Sequence, residues 1–139
     1  MVEEQVSTQT QDLEPATFQV RVISDPAEFY SIESQWNRLV ARAQTNHPFL
    51  SHRWLRTWWE AFGHGSELYV VTLWADSELL AAAPMQRKRT KFFFVPFDTI
   101  TSIYNWHTPR FDFIVAGDVP REILHKLFWK QLSEARCEV

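Results

Sequence analysis

Residues 47–63 read HPFLSHRWLRTWWEAFG, and the rest of the chain has to fold around this stretch. Ser51 can cap a helix, because its hydroxyl can accept a bond from one of the first backbone N–H groups that lack an intrahelical partner. Leu50 before the cap and Leu55 in the first turn are placed to close over it as a hydrophobic staple. At a helical period, Trp54, Leu55, Trp58, Trp59 and Phe62 fall on one face, while His52, Arg53, Arg56, Thr57 and Glu60 take the other. Gly63 is expected to supply a left-handed stop, with Gly65 just beyond it. Indoles at this density exceed what a solvent-facing helix carries. They suit either a packed core or a saccharide platform. Stacking on sugars would need rings beside Arg53 and Arg56 on the wet face, and the spacing puts them on the dry one, so the helix is read as a core element.

Upstream, residues 1–16 hold Glu3, Glu4, Asp12 and Glu14 with no cation and no hydrophobic period, and are expected to form a disordered acidic tail. Residues 17–139 are expected to form one domain. In residues 17–23 Phe18, Val20 and Val22 alternate with Gln19 and Arg21, the pattern of a half-buried strand. Asp25, Pro26 and Glu28 signal a helix start, and Phe29, Ile32, Trp36, Leu39, Val40 and Ala43 continue one apolar face to a stop near Gln44.

Downstream, residues 67–75 (ELYVVTLWA) are rich in β-branched and aromatic residues, and Asp76-Ser77 can turn the chain into a second strand over residues 78–87. Pro84 cannot donate a ladder bond, so a bulge or an open edge is expected there. The cations of residues 87–91 (RKRTK) fit a solvated turn or, in the minority reading, a phosphate site. Residues 92–97 (FFFVPF) are expected to form a short strand buried on both faces and disturbed at Pro96. Another strand is expected over residues 111–115, followed by a turn at Gly117-Asp118. A last amphipathic helix then carries Ile123, Leu124, Leu127, Phe128 and Leu132. This order gives a mixed α/β fold with a largely antiparallel sheet flanked by helices.

Composition narrows the function classes. The formal charge of −3 is concentrated in the tail, leaving 13 acids against 14 bases in the body, which is no footprint for nucleic acid. Cys137 is the single cysteine, so no intrachain disulfide can form, and its place near the end of the sequence makes it a poor nucleophile. There is no signal-peptide pattern and no apolar run long enough for a membrane span, so a cytoplasmic protein is expected. None of the histidines at 47, 52, 64, 107 and 125 has a ligand-like spacing to another metal-binding residue, and no metal is expected. Three glycines leave no Gly-rich strand-to-helix turn for a pyrophosphate.

The richest polar cluster is NWHTPRFD, residues 105–112, where an amide, an imidazole, a guanidinium and a carboxylate enter a strand from a loop. Asn105, Trp106, His107, Arg110 and Asp112 are the candidate substrate-binding residues. The competing reading pairs Arg110 with Asp112 locally and spends Asn105 on turn backbone.

The Trp-rich helix ending in Phe62-Gly63, the hairpin VVTLWADSELLAAAPM and the segment NWHTPRFDF together resemble the CelD/FemAB-like acetyltransferase family of the GNAT-like acyltransferases, from about residue 47 to residue 115. The resemblance implies a GNAT-like fold and acyl transfer, often in cell-envelope or exopolysaccharide biosynthesis, onto an envelope saccharide or amine acceptor. Members of the family typically carry two GNAT-like halves in tandem. The later half mainly holds the donor, acyl-CoA (acetyl-CoA) or aminoacyl-tRNA, on a Gly-containing turn. This chain is similar to the first half only, which implies that a second half or partner chain supplies the donor site. His107, Arg110 and Asp112 match the family's HTPR.D segment and, by that likeness, line the acceptor side. The resemblance assigns no catalytic residue. A non-catalytic saccharide- or protein-binding module, or a truncated gene fragment, stands as the alternative.

Overall fold

The computed structural model describes residues 18–43, 48–103 and 112–134. It is a mixed α/β structure built on a five-stranded antiparallel sheet with helices on both faces. The elements run β1 (Phe18–Ile23), α1 (Pro26–Ser31), α2 (Glu33–Arg42), a 3₁₀ turn (Pro48–Leu50), α3 (His52–Phe62), β2 (Glu67–Ala75), β3 (Glu78–Phe92), β4 (Val95–Ser102) and β5 (Ile114–Val115). A final helical run then comprises α4 (Arg121–Ile123), a π-helical stretch (Leu124–Trp129) and α5 (Lys130–Glu134).

Strand β2 is an interior strand between β1 and β3, and its near-continuous burial follows from having apolar layers on both sides. Leu68, Val70 and Trp74 face the layer of α1, α2 and α3, whereas Tyr69, Val71 and Leu73 face the terminal helical run through Phe128. Thr72 is the buried polar exception. Its hydroxyl donates to the Arg21 carbonyl at 2.8 Å and accepts from Trp74 Nε1 at 2.8 Å, so no polar atom of that side chain is left unpaired. β2 and β3 form the expected hairpin through Asp76-Ser77, with Asp76 in the left-handed region at φ 54°. A bulge leaves Leu80 extra between the pairs Leu73↔Ala81 and Trp74↔Leu79, which puts the consecutive residues Leu80 and Ala81 into the same core cluster.

Pro84 is not the bulge. It lies inside the sheet opposite Val70, and its carbonyl accepts from Ile103 N at 3.0 Å on the other side. Its missing N–H is tolerated because it meets the junction at which β4 ends and β5 has not begun. β3 pairs with β4 from Met85 outward and with β5 at Ala81 and Ala82.

The apolar face read from Phe29 to Ala43 is buried throughout, but it belongs to two helices. Asp25 caps α1 by accepting from Ala27 N at 3.0 Å, and the helix breaks at Ile32, whose N–H reaches back to Phe29 O over 3.4 Å. That break explains the largest departure on α3. His52, placed by periodicity on the wet face, is fully buried, and Nε2–H donates to the same Phe29 carbonyl at 2.8 Å. Its ring lies 4.5 Å from that of Phe29 and 6.1 Å from that of Trp36. Trp36 in turn donates its indole N–H to Leu50 O at 2.9 Å, tying α2 to the entry of α3.

Ser51 caps α3 as expected, accepting from Trp54 N at 3.2 Å, and Leu55, Trp58 and Trp59 are core. Phe62 is 49% exposed and does not complete that face. Gly63 is right-handed (φ −74°), not left-handed. It is glycine because a Cβ would sit 2.5 Å from Trp59 O and 2.6 Å from the Trp59 ring, and the positive φ falls to Gly65 at 82°.

The FFFVPF segment is the main correction. Instead of a buried strand it is the tip of the β3–β4 hairpin, with Phe92, Phe93, Phe94, Val95 and Phe97 exposed. The RKRTK segment is likewise strand, not turn. Only five residues before it, β3 is fully buried, and the change comes where β2 runs out at the pair Glu67↔Arg87. Beyond that pair the ribbon has no layer to pack against among the described residues.

Candidate functional site

β4 and β5 occupy one lane beside β3, with Ile103 the last described residue bonded to β3 after β4 and Ile114 the first residue of β5. The polar cluster of residues 105–112 falls between these two strands in sequence. Asn105, Trp106, His107 and Arg110 fall outside the described residues, so of the expected site only Asp112 is placed. It is half-buried, two residues before β5, and one carboxylate oxygen accepts the N–H of Phe113 at 2.9 Å. Phe113 is wedged edge-on against Phe128 at 5.9 Å and Trp129 at 5.5 Å, consecutive rings that the wide π turn presents side by side. Asp112 is therefore joined to a residue anchored against the terminal helical run, and one of its oxygens is engaged by that residue's N–H.

Three residues along β3 from Pro84, an open polar cleft is lined by Gly65, Ser66, Glu67, Arg87, Arg89 and Asp98. Arg87 donates to Asp98 Oδ2 from Nη2 at 2.7 Å and from Nε at 3.2 Å, so the cation nearest the body is already held by a carboxylate. Strand alternation sends Lys88 to the face opposite Arg87, Arg89 and Lys91. The basic run is thus divided between two faces rather than gathered around one anion, and the phosphate reading loses its geometry.

A second recess, between α1 and the β2–β3 turn, is lined by Arg21, Glu28, Gln35, Trp74 and Asp76 among others. Arg21 lies 5.3 Å from the centre of the Trp74 ring, whose indole N–H is spent on Thr72. At the α1–α3 contact, Arg56 sits 4.1 Å over the Tyr30 ring and pairs with Glu60 at 3.0 Å. Burial first, and then the Glu60 carboxylate, raise the Tyr30 phenol above its ordinary value of 10.0, with Arg56 pulling the other way. Arg42 at the end of α2 pairs with Glu78 and, at 3.1 Å, with Asp118, holding the turn after β5 to the start of β3.

Among the described residues no group of three or more His, Cys, Asp or Glu side chains could hold a metal ion, and no helix is long and apolar enough to cross a membrane. Sequence reasoning missed the exposed hairpin tip. Its signal was the cation-rich strand leading directly into an unbroken aromatic run. No family model, no curated protein and no solved structure matches this chain.

Proposed function

We propose that this chain is the acceptor-side half of a GNAT-like N-acyltransferase of cell-envelope or exopolysaccharide biosynthesis, with the acyl donor held by a second α/β unit. The observation that carries the reading is the interrupted lane. β4 and β5 share one lane beside β3, and the sequence that joins them bears Asn105, Trp106, His107, Arg110 and Asp112. Polar residues joined in sequence to two strands of a rigid sheet suit the task of orienting an amine-bearing saccharide. The acceptor side of acyl transfer has to hold the amine and take its proton as the bond to the acyl carbon forms.

The described turn from β5 into α4 does not suit the pyrophosphate of acyl-CoA. The turn from β5 into α4 reads Ala116-Gly117-Asp118-Val119-Pro120, which places a carboxylate and an N–H-less proline where a pyrophosphate would need amide donors and no negative charge. No step is therefore assigned to the donor here. The reading is tested by titrating the isotope-labelled chain with glucosamine and, separately, with acetyl-CoA. Glucosamine should shift amide resonances around residues 102–116 and leave β1 unchanged, and acetyl-CoA should not bind in the micromolar range. Micromolar acetyl-CoA binding would overturn the divided-donor reading, and glucosamine shifts absent from residues 102–116 would overturn the acceptor role.

A further inference from the structure

The outer ribbon of the β3–β4 hairpin joins three features that each cost stability. Residues 88–92 pair only with β4, because β2 ends opposite Arg87, and an isolated two-stranded ribbon is marginal in water. At its end Phe93 and Phe94 both take left-handed backbone, φ 47° and 67°, in a two-residue turn that ordinarily uses Asn-Gly. For bulky side chains such angles are strained outliers. Those same residues are 81% and 98% exposed, and with Phe92, Val95 and Phe97 they make a contiguous apolar tip. Strain and exposure together are reasonable only if the tip works outside water.

The charge behind the tip indicates the medium. Residues 87–102 hold Arg87, Lys88, Arg89 and Lys91 against the single acid Asp98, which is paired with Arg87. At about 3.3 Å per residue, Lys91 lies roughly 7 Å and Lys88 roughly 17 Å behind Phe93 along the strand. Apolar groups of peripheral anchors enter the headgroup–acyl boundary by about 5–10 Å, and cations at that distance reach lipid phosphates and carboxylates. The chain as a whole is negatively charged, −3, but screening over about 8 Å leaves the local excess on the ribbon in control of the contact.

We infer that the β3–β4 hairpin is a peripheral membrane anchor, whose phenylalanine tip inserts into the interface of an anionic bilayer while Lys88, Arg89 and Lys91 bind its headgroups. The anchor does not depend on acyl transfer. It would hold the body of the protein at a lipid surface.

The test is flotation of the whole chain with phosphatidylcholine vesicles, with and without phosphatidylserine, at low and physiological salt. The chain should float with the anionic vesicles and weaken with salt. Phe93→Asn with Phe94→Gly should lose about 100-fold or more in vesicle affinity, and the charge reversals Lys88→Glu, Arg89→Glu and Lys91→Glu should lose on the order of 100-fold. The Asn-Gly variant favours the same turn, so thermal melting by circular dichroism should show it folded. Failure of the chain to float with anionic vesicles overturns the inference, as does undiminished flotation of the folded Asn-Gly variant. It is overturned equally if the tip instead mediates self-association that the Asn-Gly variant abolishes, with no flotation.

Discussion

One strand passes through two environments in this protein. From residue 79 to residue 84 β3 is buried without interruption, whereas from residue 88 to residue 92 it is almost wholly exposed. The inner half is held by side chains on both faces of the sheet, between the α1–α3 layer and the terminal helical run. The outer half is held by backbone pairing with β4, by the turn and by the Thr99 hydroxyl, which donates to the Lys88 carbonyl at 3.1 Å. Aromatic bulk does not secure burial, since Phe92 at the end of the outer half and Phe93 and Phe94 in the turn beyond it are all exposed. What differs is whether a layer lies above and below the sheet, and that depends on where β2 stops.

Removing bulk from the body should have the largest effect. Trp36→Ala should cost about 3–5 kcal/mol, read as a lower urea midpoint at unchanged slope, since it empties a fully buried site and strips the Leu50 carbonyl of its 2.9 Å donor. A cost near that of a surface substitution would mean that the helical layer does not hold the sheet. His52→Leu should cost about 1–3 kcal/mol, because the carbonyl at the α1–α2 break loses its 2.8 Å partner inside the core. His52→Gln, which can still donate, should recover part of it. At the tip the sign should reverse. Phe93→Asn with Phe94→Gly should raise the melting temperature, by about 1 kcal/mol of stability, as left-handed strain is relieved with no core lost. A loss there would show that the ribbon packs on something after all.

The smallest effect sharpens the rim between the two regions. The Tyr30 phenol should titrate, by ultraviolet difference absorbance, above 10.0, and Glu60→Gln should bring it down. A raised folded value means that the folded protein favours the neutral phenol. The contribution is complete below the unfolded value and is lost as pH rises through the folded one. A midpoint at or below that of free tyrosine would remove Glu60 and burial as neighbours of the phenol.

Much of the body was legible because period and capping chemistry agreed there. Ser51 and Asp25 cap where their side chains predict, and the face from Phe29 to Ala43 is core. His52 was misplaced although it stands three and seven residues before Leu55 and Trp59, on their stripe. An imidazole reads as polar until a broken helix offers it a carbonyl. The hairpin tip was hidden because its turn contains none of the residues such turns prefer, so the local chemistry pointed to a strand continuing. Pro84 was rightly suspected, but the relief it needs comes from a neighbouring lane, which only the tertiary pairing reveals. Of the candidate site, Asp112 is anchored through Phe113, and the four other residues named from sequence lie outside the described chain.

The shared lane of β4 and β5 also bears on how such a protein can change. Each strand is registered on β3 by its own pairs, β4 from Met85 outward and β5 at Ala81 and Ala82. The span between Ile103 and Ile114 therefore sets neither alignment. A change in the length or sequence of that span need not re-index the sheet, because each strand keeps its own register on β3.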